Sequence, residues 1–115
     1  MYSGLIIKES LTDEKILDYI RIKKVDIWAT DNEPKYWTAI DFESDDLEFP
    51  ERLSKALSDG CNITWYVDMS VDGIKYIVLK DNVLRYTIGN EEEKATVIKK
   101  CMELGVDEAQ LDWTE

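Results

Sequence analysis

Residues 63–88 read ITWYVDMSVDGIKYIVLKDNVLRYTI, and the fold turns on how this stretch is folded back on itself. Two turn signals cut it into three runs of strand length. Asp81-Asn82 suits a tight two-residue hairpin loop, and Val71-Asp72-Gly73 suits a three-residue loop with glycine where φ is positive. The first loop sets Leu79 opposite Leu84, Val78 opposite Arg85, Ile77 opposite Tyr86 and Tyr76 opposite Thr87. The second sets Trp65 opposite Leu79, Tyr66 opposite Val78, Val67 opposite Ile77 and Asp68 opposite Tyr76. Side chains alternate between the two faces of a strand, so a slip of one residue exchanges the faces. In this register one face collects Ile63, Trp65, Val67, Ile77, Leu79, Leu84, Tyr86 and Ile88, and is expected to be core. The other collects Thr64, Tyr66, Asp68, Tyr76, Val78, Lys80, Val83, Arg85 and Thr87, and is expected to face outward.

Working outward, residues 4–9 (GLIIKE) read as a short apolar strand. Thr12 is placed to cap a helix whose first turn is acidic and whose apolar stripe is Ile16, Leu17 and Ile20, with Leu11 stapled onto Ile16. Residues 24–30 (KVDIWAT) alternate as a strand, DNEPK turns, and Tyr36 to Ser44 returns. Val25 and Ile27 should share the core face with Ile40 and Phe42, which puts Trp28 beside Trp37 and Ala39 on the outer face. A second helix starts near Pro50, turns Phe49, Leu53, Ala56 and Leu57 inward, and stops at Gly60. Asn90 with Glu93 forms a capping box for a last helix carrying Val97, Ile98, Cys101, Met102 and Leu104 on one side and ending at Gly105. Asp107-Glu108-Ala109-Gln110 adds a turn, and Leu111 and Trp113 pack back. The order β-α-β-β-α-β-β-β-α predicts one α+β domain over residues 1–115, a largely antiparallel sheet with helices on one face.

Composition narrows the function classes. Asp and Glu number 25 against 14 Lys and Arg, a net charge of −11, and there is no histidine. Such a field repels phosphate backbones and anionic lipid, so neither nucleic acid nor membrane is expected as a partner; it favours basic proteins. Aromatic sheet platforms for nucleic acid need a basic surround, which is the opposite of this chain. Without histidine the usual neutral-pH base and the commonest zinc ligand are missing. Cys101 lies on an apolar helix stripe, Cys61 has no histidine to activate it, and no glycine-rich phosphate loop is present. No cofactor is implied. Two cysteines without a CxxC pair, and no apolar run fit for a signal peptide or span, predict a cytoplasmic protein.

Two features could carry function. If both hairpins share one sheet, its outer face gathers Trp28, Trp37, Tyr66 and Tyr76 beside Arg85, more large rings than solubility needs. An ordinary solvated face is the simpler reading. A homodimer interface through this outer face, or cover by the C-terminal tail, would also account for it. As a ligand site, Arg85 would pair an anionic group. The second feature is residues 41–51, DFESDDLEFPE, with Asp41, Glu43, Asp45, Asp46, Glu48 and Glu51 and no base. Its spacing does not match an EF-hand, and no metal site is expected. It reads as a solvated loop feeding a helix N-terminus or as an acidic surface for a basic partner.

Gly4-Leu5-Ile6-Ile7-Lys8-Glu9-Ser10-Leu11 and Leu104-Gly105-Val106-Asp107-Glu108-Ala109-Gln110-Leu111-Asp112-Trp113 resemble the two ends of a loose set of short, uncharacterised bacterial and archaeal proteins. Those begin GxIIxESL-like and finish LGxxxxQxDF-like; here Trp113 stands at the final aromatic position. The Trp-Tyr-x-Asp strand, Trp65 to Asp68, is similar too. The resemblance implies a single-domain prokaryotic-type α+β protein and assigns no activity. The leading expectation is therefore a small acidic interaction module, of inhibitor or immunity type, binding a basic protein. A small-molecule-binding regulatory domain using Tyr66, Tyr76, Arg85, Trp28 and Trp37 comes second. A carboxylate-dependent hydrolase comes third, and an enzyme is the less expected class.

Overall fold

The computed structural model describes residues 1–31, 33–59 and 64–115. Its elements are β1 (Tyr2–Ile7), β2 (Arg21–Ala29), β3 (Tyr36–Ser44), α1 (Phe49–Ala56), β4 (Val67–Val71), β5 (Ile74–Leu79), β6 (Asn82–Thr87) and α2 (Glu91–Glu103). Short 3-10 segments cover Lys8–Ser10, Glu14–Tyr19 and Glu108–Gln110. The six strands form one sheet in the order β2-β3-β1-β4-β5-β6, and every neighbouring pair is antiparallel. This is the expected α+β class. No helix among the described residues is long and apolar enough to cross a membrane.

Local chemistry explains the ends of most elements. Pro50 sits in the first turn of α1, where its missing N–H costs nothing. Asn90 Oδ1 accepts from Glu93 N at 3.1 Å and caps α2, while Glu93 Oε1 reaches past the cap to Thr87 N at 2.8 Å. Gly105, at φ +104, ends it. The expected first helix is instead the 3-10 segment Glu14–Tyr19, capped by Asp13, whose carboxylate accepts from Lys15 N at 3.0 Å. Thr12 is used elsewhere: its N–H and its hydroxyl both donate to Ala56 O, at 2.8 and 3.0 Å, next to a bridge between Leu11 and Leu57. The stop expected at Gly60, the core role of Ile63 and the surroundings of Cys61 lie outside the described residues.

β1 holds the centre because it pairs with β3 along its whole length and with β4 at Ser3 and Gly4. Gly4 is needed there: a Cβ would run into the Asp68 carbonyl oxygen and the Met69 side chain. The long-range strand pair that closes the sheet therefore depends on one missing methyl group.

Of the two turns in residues 64–88, the first is one residue tighter than the sequence reading and the second keeps its length but starts one residue earlier; the first change alters the faces. Asp72 and Gly73 form a two-residue loop, at φ 49 and 79, with Val71 opposite Ile74. Lys80-Asp81, with Asp81 at φ 59, forms the other, with Leu79 opposite Asn82. The β5–β6 register moves by two residues, so its faces survive; Ile77 now faces Leu84 and Tyr76 faces Arg85. The β4–β5 register moves by one, so Val67 and Met69 join Tyr76 and Val78, and Asp68 joins Ile77.

The corrected register builds two cores, not one. Val67, Met69 and Val78 pack with Phe49, Leu53 and Ala56 of α1 and with Ile6 and Phe42. Ile77, Leu79 and Tyr86 pack with Val97 and Cys101 of α2, with Leu111 and Trp113 beside them. The helices therefore lie on opposite faces of β4–β6, not on one, and the face expected to be wet at Val78 is sealed by α1. Three consecutive apolar residues, Ile77-Val78-Leu79, are the trace of this double cover, because a strand buried on both sides loses its alternation.

The β2–β3 hairpin behaves differently. Val25 faces Ile40, and Trp28 pairs directly with Trp37, as the alternation predicts. Ile40 and Phe42 are buried, but Val25 and Ile27 are 50% and 63% exposed. They were expected in the core; they share its face but lie beyond the reach of α1.

Candidate binding groove

The residues expected on one aromatic surface divide between the two faces. Tyr76 is half-buried with the α1 core, its ring meeting Tyr2 edge-on at 5.5 Å. Arg85 shares that face at the outer strand β6 and lines a cleft with Glu93 and Thr96 of α2. Neither approaches the tryptophans. The register puts Arg85 and the two tryptophans on opposite faces of the sheet. The face expected to carry a homodimer is therefore not one surface.

Trp28, Trp37 and Tyr66 do come together, with Trp65. They line a cavity of about 160 Å³ with Leu5 and Ile7 of β1, Thr64, and Gln110 and Asp112 of the tail. Trp37 is fixed from both sides. Its indole N–H donates to Pro34 O at 2.9 Å, and its ring meets Trp65 at 4.9 Å and 60°. Trp28, the cross-strand partner of Trp37, is 43% exposed and forms the open wall. Trp65 is buried as expected, but as the groove's inner wall and outside any strand.

The tail makes the far wall. Tyr66 donates from its hydroxyl to Gln110 O and meets Trp113 edge-on at 5.8 Å. Trp113 Nε1 donates to Tyr86 Oη at 2.9 Å, and Tyr86 donates to Glu115 at 2.7 Å. Glu115 also pairs with Lys94 of α2 at 3.2 Å. The buried Lys75 donates to Asp68 at 2.9 Å and to Thr114 O at 2.7 Å, so the tail backbone satisfies a charge that the sheet buries. The tail covers Tyr66 and leaves Trp28 open.

Electrostatics give the groove a sign. Among the described residues, Asp112 is the only charged one in its lining. Burial, and then the negative charges of Asp68 and Asp112, push the Tyr66 hydroxyl well above its ordinary range. Tyr86 is pushed up to about 12, by burial and by its bond to Glu115. The surroundings thus oppose added negative charge. Aromatic rings and a carboxylate attract the same sign of charge, that of a cation.

The acidic run is dispersed by its local roles. Asp45 pairs with Arg21 at 3.1 Å, and Asp46 and Glu48 both grip Arg52, at 2.8 and 3.0 Å. Asp46 also accepts from Glu48 N at 3.1 Å, and Glu51 lies in the first turn of α1. Asp41 stands opposite Leu5 and Lys24, and Glu43 opposite Ser3 and Arg21. Among the described residues no three acids or cysteines gather into a metal-binding group.

Sequence reasoning missed Trp65 and Asp112 as groove residues. Trp65 was assigned inward by a register that places it in a strand, and Asp112 enters only because the tail crosses the sheet. Compared with protein-family models, curated proteins and solved structures, the chain matches none of them.

Proposed function

We propose that the protein is a small acidic interaction module that captures a basic protein inside the cell, in the manner of an inhibitor or immunity protein. The groove at Trp28, Trp37 and Trp65 takes a cationic side chain of that partner. The observation that carries this reading is the groove's lining: three indoles, one tyrosine and a single charge, the Asp112 carboxylate. The net charge of −11 supplies the long-range field that speeds encounter with a basic surface. Size favours a side chain over a free ligand. About 160 Å³ suits one guanidinium or ammonium group, and pockets for drug-sized molecules run from roughly 300 to 1,000 Å³.

The test is a titration of the protein with a short arginine-rich peptide, followed by tryptophan fluorescence, against a peptide with citrulline at each arginine. The arginine peptide should bind with an affinity that falls as salt rises, and Trp28→Ala and Asp112→Asn should each weaken it about 5- to 30-fold. Equal binding of the citrulline peptide, or unchanged binding by Trp28→Ala, would overturn the reading.

A further inference from the structure

The outer edge of β2 is a second candidate surface, independent of the groove. β2 runs for nine residues and, among the described residues, pairs only with β3, so its other edge presents backbone donors and acceptors without a strand partner there. Open edges of this kind are templates for another strand, and proteins usually blunt them. The other outer strand is blunted: β6 is six residues long, and Glu93 of α2 occupies the Thr87 N–H at 2.8 Å. β2 carries a bulge at Lys23 but is regular from Lys24 to Ala29. Beside it Ile22, Val25, Ile27 and, on β3, Tyr36 are each at least half exposed on one face. A contiguous apolar strip along an open edge is unusual for a surface that stays in water.

The order of residues in β2 selects the occupant. We infer that two copies of the chain join antiparallel through β2, about a twofold axis at Val25, into one continuous sheet. In an antiparallel pair a twofold axis can pass through Val25, Asp26 or Ile27 with matching faces. An axis at Asp26 sets two aspartates opposite each other. An axis at Ile27 pairs no charges. The axis at Val25 sets Lys24 of each copy opposite Asp26 of the other, two opposite-charge pairs on the face away from the apolar strip. These two side chains already meet within one strand, at 3.2 Å, so both lie on the face where the cross-strand pairs would form. The charge balance agrees with this choice. β2 holds Arg21, Lys23 and Lys24 against Asp26 in a chain of net charge −11, so this strand lowers the repulsion between two acidic copies.

Charge reversal tests both the partner and the register. Sedimentation velocity over a concentration series up to about 1 mM should show a monomer–dimer equilibrium for the full chain. Lys24→Asp and Asp26→Lys each place like charges opposite one another and should each weaken the dimer about tenfold or more. The double variant Lys24→Asp/Asp26→Lys restores opposite pairs and should recover dimerisation to within about threefold. A mixture of the two single variants should form the mixed dimer, because one copy then carries two lysines and the other two aspartates. All three variants change exposed side chains, so unchanged circular dichroism and melting temperature separate loss of the dimer from loss of the fold. A wild-type chain monomeric throughout the series would overturn the inference. So would single reversals that dimerise like wild type, or a double variant that fails to recover.

Discussion

The two ends of the sheet are built from the same kind of strand and meet different fates. At β4–β6 both faces are covered, one by α1 and the other by α2 and the tail, and Val78 and Ile77 are both fully buried. At β2–β3 the strand beyond the helices keeps Val25 and Ile27 in water. The alternation of apolar and polar residues is clearer in the exposed hairpin than in the buried one. Alternation reports which residues share a face; it does not report whether anything covers that face. Cover depends on where α1, α2 and residues 106–115 come to rest, and all three rest on the β1–β4–β6 side.

The sharpest way to break the comparison is to truncate one side chain from each region. Leu79→Ala should cost about 2–5 kcal/mol in denaturant unfolding, because it leaves a cavity under α2. Ile27→Ala should cost under about 0.5 kcal/mol at monomeric concentrations, since its side chain is already wet. Comparable losses would mean that β2 is covered after all. Next in size, Gly4→Ala should destabilise by about 1–3 kcal/mol, the cost of forcing β1 and β4 apart at Asp68 and Met69. Chemical denaturation with unchanged slope would check it.

A smaller effect should follow pH. Burial pushes the Cys101 thiol up to about 11 from 9.0, and Tyr86 up to about 12 from 10.0. Both groups are held neutral by the fold, so their contribution is complete below the unfolded values. It declines as pH rises from 9.0 through about 12. The unfolding free energy should drop by about 1 kcal/mol for each pH unit above the onset, and Cys101→Ala should flatten the first part of that slope. Denaturation midpoints measured across this range read the effect directly. Smallest of all, Trp28→Ala should leave stability within about 0.5 kcal/mol of wild type, because Trp28 is the open wall of the groove. A larger loss in thermal or denaturant unfolding would make Trp28 a structural residue and remove it from the binding reading.

Much of this architecture is legible in the residues. β3 runs from Tyr36 to Ser44 as its sequence implies, Asn90 does cap α2, and Pro50 does start α1. The Trp28–Trp37 pair follows from alternation alone. The faces of β4 are not legible because Asp72-Gly73 serves a two-residue and a three-residue loop equally well, and the Ile77-Val78-Leu79 run accepts either register. That single ambiguity moved Tyr76 and Arg85 into the wrong company. The groove is half legible: Trp28 and Trp37 come from one hairpin, but Asp112 reaches it only through tertiary docking of the tail.

The enclosure of Lys75 makes it a reporter. Its ammonium nitrogen is shut between Asp68 and the Thr114 carbonyl, while the pairs of Lys24 and Lys55 stand in solvent. An acylating reagent should modify those exposed amines quickly and reach Lys75 only when the tail lifts. The rate of Lys75 acylation, read by mass spectrometry, would then clock tail undocking, and with it the opening of the groove's far wall.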